Sequence, residues 1–326
     1  MKSLLILSEI ANAHEGNVLK AEEMIIASAQ AGVDAVKMQK HTADELLVKS
    51  HSKYERFRFL EMKDHEWVHV NQVAKKQGIK FICDVFGEDS LDFVLEKLSC
   101  DGIKVHSSDL GNIFLLRKLR AWGGPIYLSA GGATSAEIVA ALDSLNPVKK
   151  NIVLMHGFQN FPTSLDETNL NRLNTLKAYG VPVGYMDHID AQDPMAMILP
   201  LLAVAAGAVV IEKHITLDRS LKGADYYSSF EPKEMKELVR LLRQAARAMG
   251  KHEIEFGPEE LEYRKKFKKH IVASKAMHSG HTITEADLMY RRVETDKDLC
   301  SMAALLGKRV KQPIQEQDLI DPGLVH

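Results

Sequence analysis

Met186-Asp187-His188 and Glu212-Lys213-His214 both end in histidine, and each follows a short apolar run of β character, Val181–Tyr185 and Val209–Ile211. One αβ unit separates the runs. As neighbouring strands of a parallel barrel they would project both imidazoles from the same rim. Two neutral imidazoles on a rigid rim can hold a divalent metal and leave coordination positions open for substrate. The chemistry this pair suits is a metal-assisted reaction.

Elements able to position such a pair recur along the chain. Strand-like runs are read at Leu4–Ser8, Ala35–Met38, Lys80–Cys83, Ile103–Val105, Ile126–Leu128 and Ile152–Met155, each flanked by Gly, Asp, Asn or Pro. With the two runs above, they suit strands buried on both faces. Helical patterns lie between them, at Val18–Ala31 closed by Gly32, Asp89–Leu98, Ile113–Ala121 and Ser135–Leu145. Glu231–Met249 is the most amphipathic, with a stripe of Met235, Leu238, Val239, Leu242, Ala245, Ala246 and Met249. Eight βα units in about 250 residues predict a TIM (β/α)8 barrel. Residues 1–250 are therefore read as a barrel domain and 251–270 as a lysine-rich linker, partly helical. Residues 271–326 read as a small β-rich domain, marginal in size for folding alone.

Bulk properties exclude several classes. The 326 residues are 45% hydrophobic and 26% charged with a formal net charge of −2, as in ordinary soluble enzymes, and give no bulk attraction to nucleic acid or anionic lipid. Cys83, Cys100 and Cys300 are too scattered for a disulfide framework and read as reduced thiols of a cytoplasmic protein. The apolar start at Leu4–Leu7 is cut off by Glu9 and is too short for a signal peptide. Met195–Ile211, broken by Pro200 and Gly207, reads as a buried helix and strand and not as a membrane span.

The segments Glu9-Ile10-Ala11-Asn12-Ala13-His14-Glu15-Gly16 and Ala31-Gly32-Val33-Asp34-Ala35-Val36-Lys37-Met38-Gln39 open a series that continues in order. It runs through Lys104-Val105-His106-Ser107-Ser108-Asp109, Leu128-Ser129-Ala130-Gly131, His156 with Phe161-Pro162-Thr163, the two histidine segments, and Ala276-Met277-His278-Ser279-Gly280-His281-Thr282-Ile283 through Arg291-Arg292. The series resembles the sialic acid synthases over nearly the whole chain. Its terminal part is similar to their antifreeze-like (SAF, β-clip) domain. No single motif is specific; their common order is.

The resemblance implies condensation of phosphoenolpyruvate with N-acetylmannosamine or a related hexosamine, deoxygenated or phosphorylated, giving a nonulosonic acid and phosphate. C3 of the enol phosphate is the nucleophile and the open-chain aldehyde the electrophile, with Mn²⁺ or Mg²⁺ on His188 and His214. Lys37, Lys104, Ser107, Ser129 and Gln159 would bind phosphoenolpyruvate, and Gln39, Asp109, His156, Asp225 and Arg292 the sugar. Glu9 either handles a proton or stabilises a developing cation, or else forms an ion pair across the barrel mouth. His14 lines the site or braces the first βα loop. Arg292 would reach the sugar in the other subunit of a domain-swapped homodimer.

Departures from the family pattern bear on donor geometry and sugar identity. Gln159 stands for asparagine and Met186 for a serine. Cys83-Asp84-Val85-Phe86 replaces Ser/Thr-Thr-Pro-Phe, Arg291-Arg292-Val293-Glu294 replaces Lys-Arg-Pro-Gly, and Ala13 replaces asparagine. A carboxylate at Asp84 repels phosphate unless turned away or paired. Two other readings stay open: a metal-dependent aldolase using another donor, and a catalytically silent sugar-binding paralogue.

Overall fold

The computed structural model describes residues 4–160, 162–251 and 253–326. Two compact units divide the chain, the first ending at Gly250 and the second starting at Lys251.

In the first unit eight parallel strands close in sequence order into a barrel. They are β1 (Leu5–Ala11), β2 (Ala35–Lys40), β3 (Lys80–Val85), β4 (Gly102–Val105), β5 (Ile126–Ser129), β6 (Ile152–His156), β7 (Val183–Met186) and β8 (Ala208–His214). Most strands run past their expected C-terminal ends because polar residues such as Glu9, Gln39, Asp84, Glu212 and His214 continue them. Apolar texture alone stops short of them.

Each strand is followed by helix: α1 (Val18–Ala31), α2 (Asp64–Lys76), α3 (Glu88–Phe93), α4 (Ile113–Trp122), α5 (Ser135–Ser144), α6 (Arg172–Lys177), α7 (Met195–Ala205) and α8 (Pro232–Ala248), with shorter helical turns in some of the loops. Their ends follow local chemistry. The Asn17 side chain accepts from the Leu19 and Lys20 amides at the start of α1, and Gly32 (φ 87°) ends it. Thr134 and Glu137 form a capping box on α5. Helix α8 buries Met235, Leu238, Val239 and Leu242, but Met249, expected in its stripe, is exposed beyond the helix end.

Side chains alternate across the strands, apart from irregularities at Glu9/Ala11 and Val183/Gly184. Outward positions pack against the helices in the main core. Inward positions fill the lumen with Leu7, Ala35, Ile82, Tyr127, Met155, Met186 and Val210. Gly102 and Gly184 make room for the larger members: a Cβ on Gly102 would stand 2.7 Å from the Tyr127 ring, and one on Gly184 2.9 Å from Val210 Cβ. Continuing the same alternation two residues towards the strand C-termini turns the lining from apolar to charged. Strand β1 ends in a bulge where the register shifts after Glu9 and Ala11 takes φ 47°.

The second unit has its own core, including Ile271, Met277, Ile283, Leu305, Val310 and Ile320. Strands β9 (His270–Ala273) and β10 (Leu288–Arg291) pair antiparallel, and isolated bridges extend the β texture. The segment expected as a linker contains helix α9 (Pro258–Phe267) and falls within this unit. Its lysines are largely solvated, as in the Lys266–Glu262 pair on the surface of α9. All three cysteines are free thiols. Among the described residues no helix is long and apolar enough to cross a membrane.

Candidate active site

Above the apolar lumen layer lies a cavity of about 320 Å³ whose wall includes Lys37, Asp84, Lys104, His188, Glu212 and His214. Its deepest tier is a buried charge network. Lys37 forms a tight ion pair with Glu9 and lies 3.4 Å from Asp84 Oδ2 and 3.5 Å from Glu212 Oε1. Lys104 donates to both oxygens of Glu212 at 2.8 and 3.0 Å and touches Met186 Sδ at 3.2 Å. Strand register explains the meeting: Glu9 sits beside Lys37, Asp84 beside Lys104, and Met186 beside Glu212.

Burial and partners compete in this tier. Burial lowers the Lys37 pKa despite the opposing pull of Glu212. For Lys104 burial also works against charge, but Glu212 and Asp84 prevail and raise it. Burial disfavours the Glu212 carboxylate, yet Lys104 and Lys37 hold its pKa below the usual range. Lys104 and Glu212 therefore favour each other's charged forms in a desolvated place, where opposite charges interact strongly.

His188 and His214 project from the adjacent strands β7 and β8, their ring centroids 5.0 Å apart. Asp187 and Lys213, one position before each histidine, point the other way and form a buried ion pair at 2.6 Å outside the barrel. That pair, with Lys213 lying over the Phe230 ring, ties the two strands at one height and so aligns the imidazoles. Burial pushes the His188 pKa down to about 4 and that of His214 well below 6.5, the proximity of His188 adding to the latter. Both rings are neutral near pH 7, the form that ligates metals. His188 Nδ1 lies 3.0 Å from the Phe158 carbonyl, which fixes Nδ1–H and puts the lone pair on Nε2. An imidazole whose second nitrogen is tied to a carbonyl is the usual arrangement of a metal ligand. Among the described residues no group of three or more His, Cys, Asp or Glu side chains is set to hold a metal. A divalent cation here would have two protein nitrogens, those of His188 and His214, and would draw the rest of its shell from outside.

Other sequence candidates fall in several places. Gln39 lines the cavity and accepts from Asn12 Nδ2 at 3.2 Å; Gln159 and Asp225 line it too. Ser129 points into the barrel, fully buried, its Oγ without a hydrogen-bond partner. Ser107 is not on the cavity wall; the neighbouring Ser108 is, because a 3-10 turn over Ser107–Asp109 rotates the segment. Asp109 is likewise off the wall and bonds Ser108 and Asn112, closing that turn.

His156 departs most from expectation. It occupies an outward position of β6, bonds the Thr168 carbonyl at 2.8 Å, and lines a separate cavity of about 740 Å³ with Arg172 and Tyr179. Gln159 lines both cavities. His14 braces the first βα loop, its Nδ1 accepting from the Gly16 amide at 3.0 Å. Phe161 lies outside the described residues. Arg292, in the second unit, stands with its guanidinium 5.5 Å from the Phe267 ring centre.

Burial also makes His14 a pH probe. Its pKa is lowered from 6.5 to about 4, chiefly by burial, with His41 and Lys20 adding to the effect. The unfolded chain binds the proton near pH 6.5 and the folded chain does not. Folding stability is therefore expected to fall between pH 6.5 and about 4, by up to about 3 kcal/mol, and to level off below. Thermal midpoints of wild type and His14→Gln across this range check it; equal slopes would refute it.

The profile of the NeuB family, described as such, matches residues 24–254. The chain belongs to the NeuB family. It is 31% identical to the N,N'-diacetyllegionaminic acid synthase of Legionella pneumophila over 94% of this chain and 90% of that protein. To the human N-acetylneuraminate-9-phosphate synthase it is 28% identical, covering 98% and 92%. The crystal structure of an N-acetylneuraminic acid (sialic acid) synthetase from Leptospira borgpetersenii, in complex with citrate, superimposes with a TM-score of 0.75 at 30% identity, covering 81% of this chain and 92% of that one. As a NeuB-family member the chain is an enzyme of the nonulosonic acid synthase type.

Glu212, Asn12, His106 and Phe86 also line the cavity and were not among the sequence candidates. Glu212 was legible: it is two residues before His214 and, by strand alternation, must face the same way. His106 and Phe86 come from loop positions, and only the fold brings them to the wall.

Proposed function

We propose that the chain condenses phosphoenolpyruvate with the open-chain aldehyde of N-acetylmannosamine or a related hexosamine, releasing phosphate and a sialic-acid-type nonulosonate. The observation that carries this reading is one cavity holding two buried lysines beneath a neutral histidine pair. Lys37 and Lys104 give charge-assisted hydrogen bonds to the donor's phosphate and carboxylate. Ser129 Oγ and the Gln159 amide add neutral donors. Gln39 and Asp225, nearer the mouth, address sugar hydroxyls. Glu9, tight against Lys37, is placed to hold a proton beside the reacting carbons. His188 and His214 would hold a Mn²⁺ or Mg²⁺ ion, which would supply Lewis acidity towards the acceptor aldehyde. Phosphate departs by C–O cleavage after water adds at C2.

The terminal unit is read as an antifreeze-like module that supplies Arg292 to the acceptor within a cytoplasmic, domain-swapped homodimer. Arg292→Ala should then raise KM for the sugar about tenfold or more, as loss of a charged hydrogen bond costs, with KM for phosphoenolpyruvate little changed. A defect in donor KM alone would refute that role.

The deciding assay is phosphate release from phosphoenolpyruvate with Mn²⁺ and a panel of N-acetylated hexosamines. Release with one sugar names the acceptor, and no release from folded, metal-loaded protein defeats the synthase reading. A second reading, aldol addition of a donor without phosphate, is favoured by Met186 Sδ against Lys104 and by Asp84 beside Lys37. Product formed from pyruvate without phosphate release would select it.

A further inference from the structure

We propose that Asp84 is a proton-linked specificity residue: its carboxyl takes up one proton as the donor's phosphate enters, and the protonated Oδ1 then donates to a phosphate oxygen. This rests on the reading of phosphoenolpyruvate as donor and deepens it.

The floor carries three carboxylates, Glu9, Asp84 and Glu212, against two ammonium groups, Lys37 and Lys104. A phosphate drawn to these lysines must share them with all three. Two unscreened anions in a desolvated tier repel strongly, and one relieves the conflict by binding a proton. The structure singles out which. Glu212 is gripped at both oxygens by Lys104, and Glu9 is tight against Lys37. Glu9 Oε1 and Asp84 Oδ1 are both buried without a hydrogen-bond partner, but Asp84 is held only through the long 3.4 Å contact to Lys37.

Of the three carboxylates Asp84 is the most weakly held by the lysines. From β2 come Lys37 and Gln39, the latter directly beside it in register, and from β4 comes Lys104. Glu9 on β1 and Glu212 on β8 face it across Lys37. His106, from the loop after β4, is kept neutral by burial and cannot offset a second anion. Protonation turns Asp84 from a competitor for Lys37 into a donor of a short, charge-assisted hydrogen bond. The proton comes from solvent and returns to it when phosphate leaves.

Calorimetric titration of phosphoenolpyruvate into the Mn²⁺-loaded protein, without acceptor, tests this. Running it at pH 7 and pH 8 in two buffers of different ionisation enthalpy counts the protons taken up. Ionisation of free phosphoenolpyruvate contributes equally to wild type and Asp84→Asn, so their difference reports Asp84. Wild type is expected to take up about one proton more, and its affinity to fall up to about tenfold more per pH unit than that of the variant. Asp84→Asn should bind more tightly than wild type at pH 8, and Asp84→Thr, a second uncharged variant, should do the same. Binding with equal proton counts overturns this inference and leaves the donor reading standing. Loss of binding in both variants at unchanged thermal midpoint also overturns it, because the carboxylate would then be an attractive contact. No binding by any of the three proteins overturns the donor reading and this inference together.

Discussion

Glu212→Ala is expected to lower the unfolding free energy by about 3–5 kcal/mol and to abolish turnover, because it strands a buried lysine. Lys104 is 3% exposed, and Glu212 accepts from it at 2.8 and 3.0 Å. The same carboxylate also helps to balance Lys37, 3.5 Å away. Removing it leaves Lys104 with a thioether at 3.2 Å and no carboxylate in contact. An uncompensated buried charge must lose its proton, admit water or unfold the rim. Urea titration with a linear extrapolation measures the loss. The double variant Glu212→Gln with Lys104→Met should recover much of the stability and none of the activity, since it removes both charges but also a donor contact. A loss below about 1 kcal/mol in the single variant, the range of an exposed pair, would contradict the network as described.

His214→Ala should separate metal from fold. The ring borders a cavity, so water can replace it, and the backbone bond from the Phe230 amide to the His214 carbonyl survives the change. The metal-free thermal midpoint is therefore expected to move little. With His188 and His214 as the proposed ligands, loss of one of them should weaken Mn²⁺ binding by more than about 100-fold, beyond the effect of outer-sphere changes. Ligand binding to the folded state raises the midpoint by mass action. The Mn²⁺-dependent rise expected of the wild type should accordingly vanish in the variant, along with phosphate release. Full activity in chelator-treated wild type would remove the imidazole pair from the chemistry.

Much of this was written in the sequence because barrels repeat a simple rule. Apolar runs flanked by turn residues located all eight strands, and the amphipathic stripe located α8 to within a residue or two. His188 and His214 stand out in the sequence because each ends a segment of the same shape on consecutive strands, and their ring centroids lie 5.0 Å apart. Strand ends were harder. Polar residues such as Asp84 and Glu212 belong to the lumen by alternation, although nothing in their own chemistry marks them as strand. His156 misled for a related reason: it ends a strand, as His214 does, but falls on the odd side of the alternation and faces outwards. Ser107 and Asp109 were misplaced by a single turn of 3-10 helix, a detail no periodicity records. Ion pairs between distant strands, such as Lys104 with Glu212, are set by register and became visible only with the barrel closed.

The plug formed by Tyr127, Met155 and Val210 across the bottom of the barrel imposes a queue. Under the proposed assignment a donor on Lys37 and Lys104 would be roofed by an acceptor at the level of Gln39 and Asp225. In such a well the proposed substrate levels require the donor to enter before the acceptor, so an acceptor analogue should slow release of the donor beneath it.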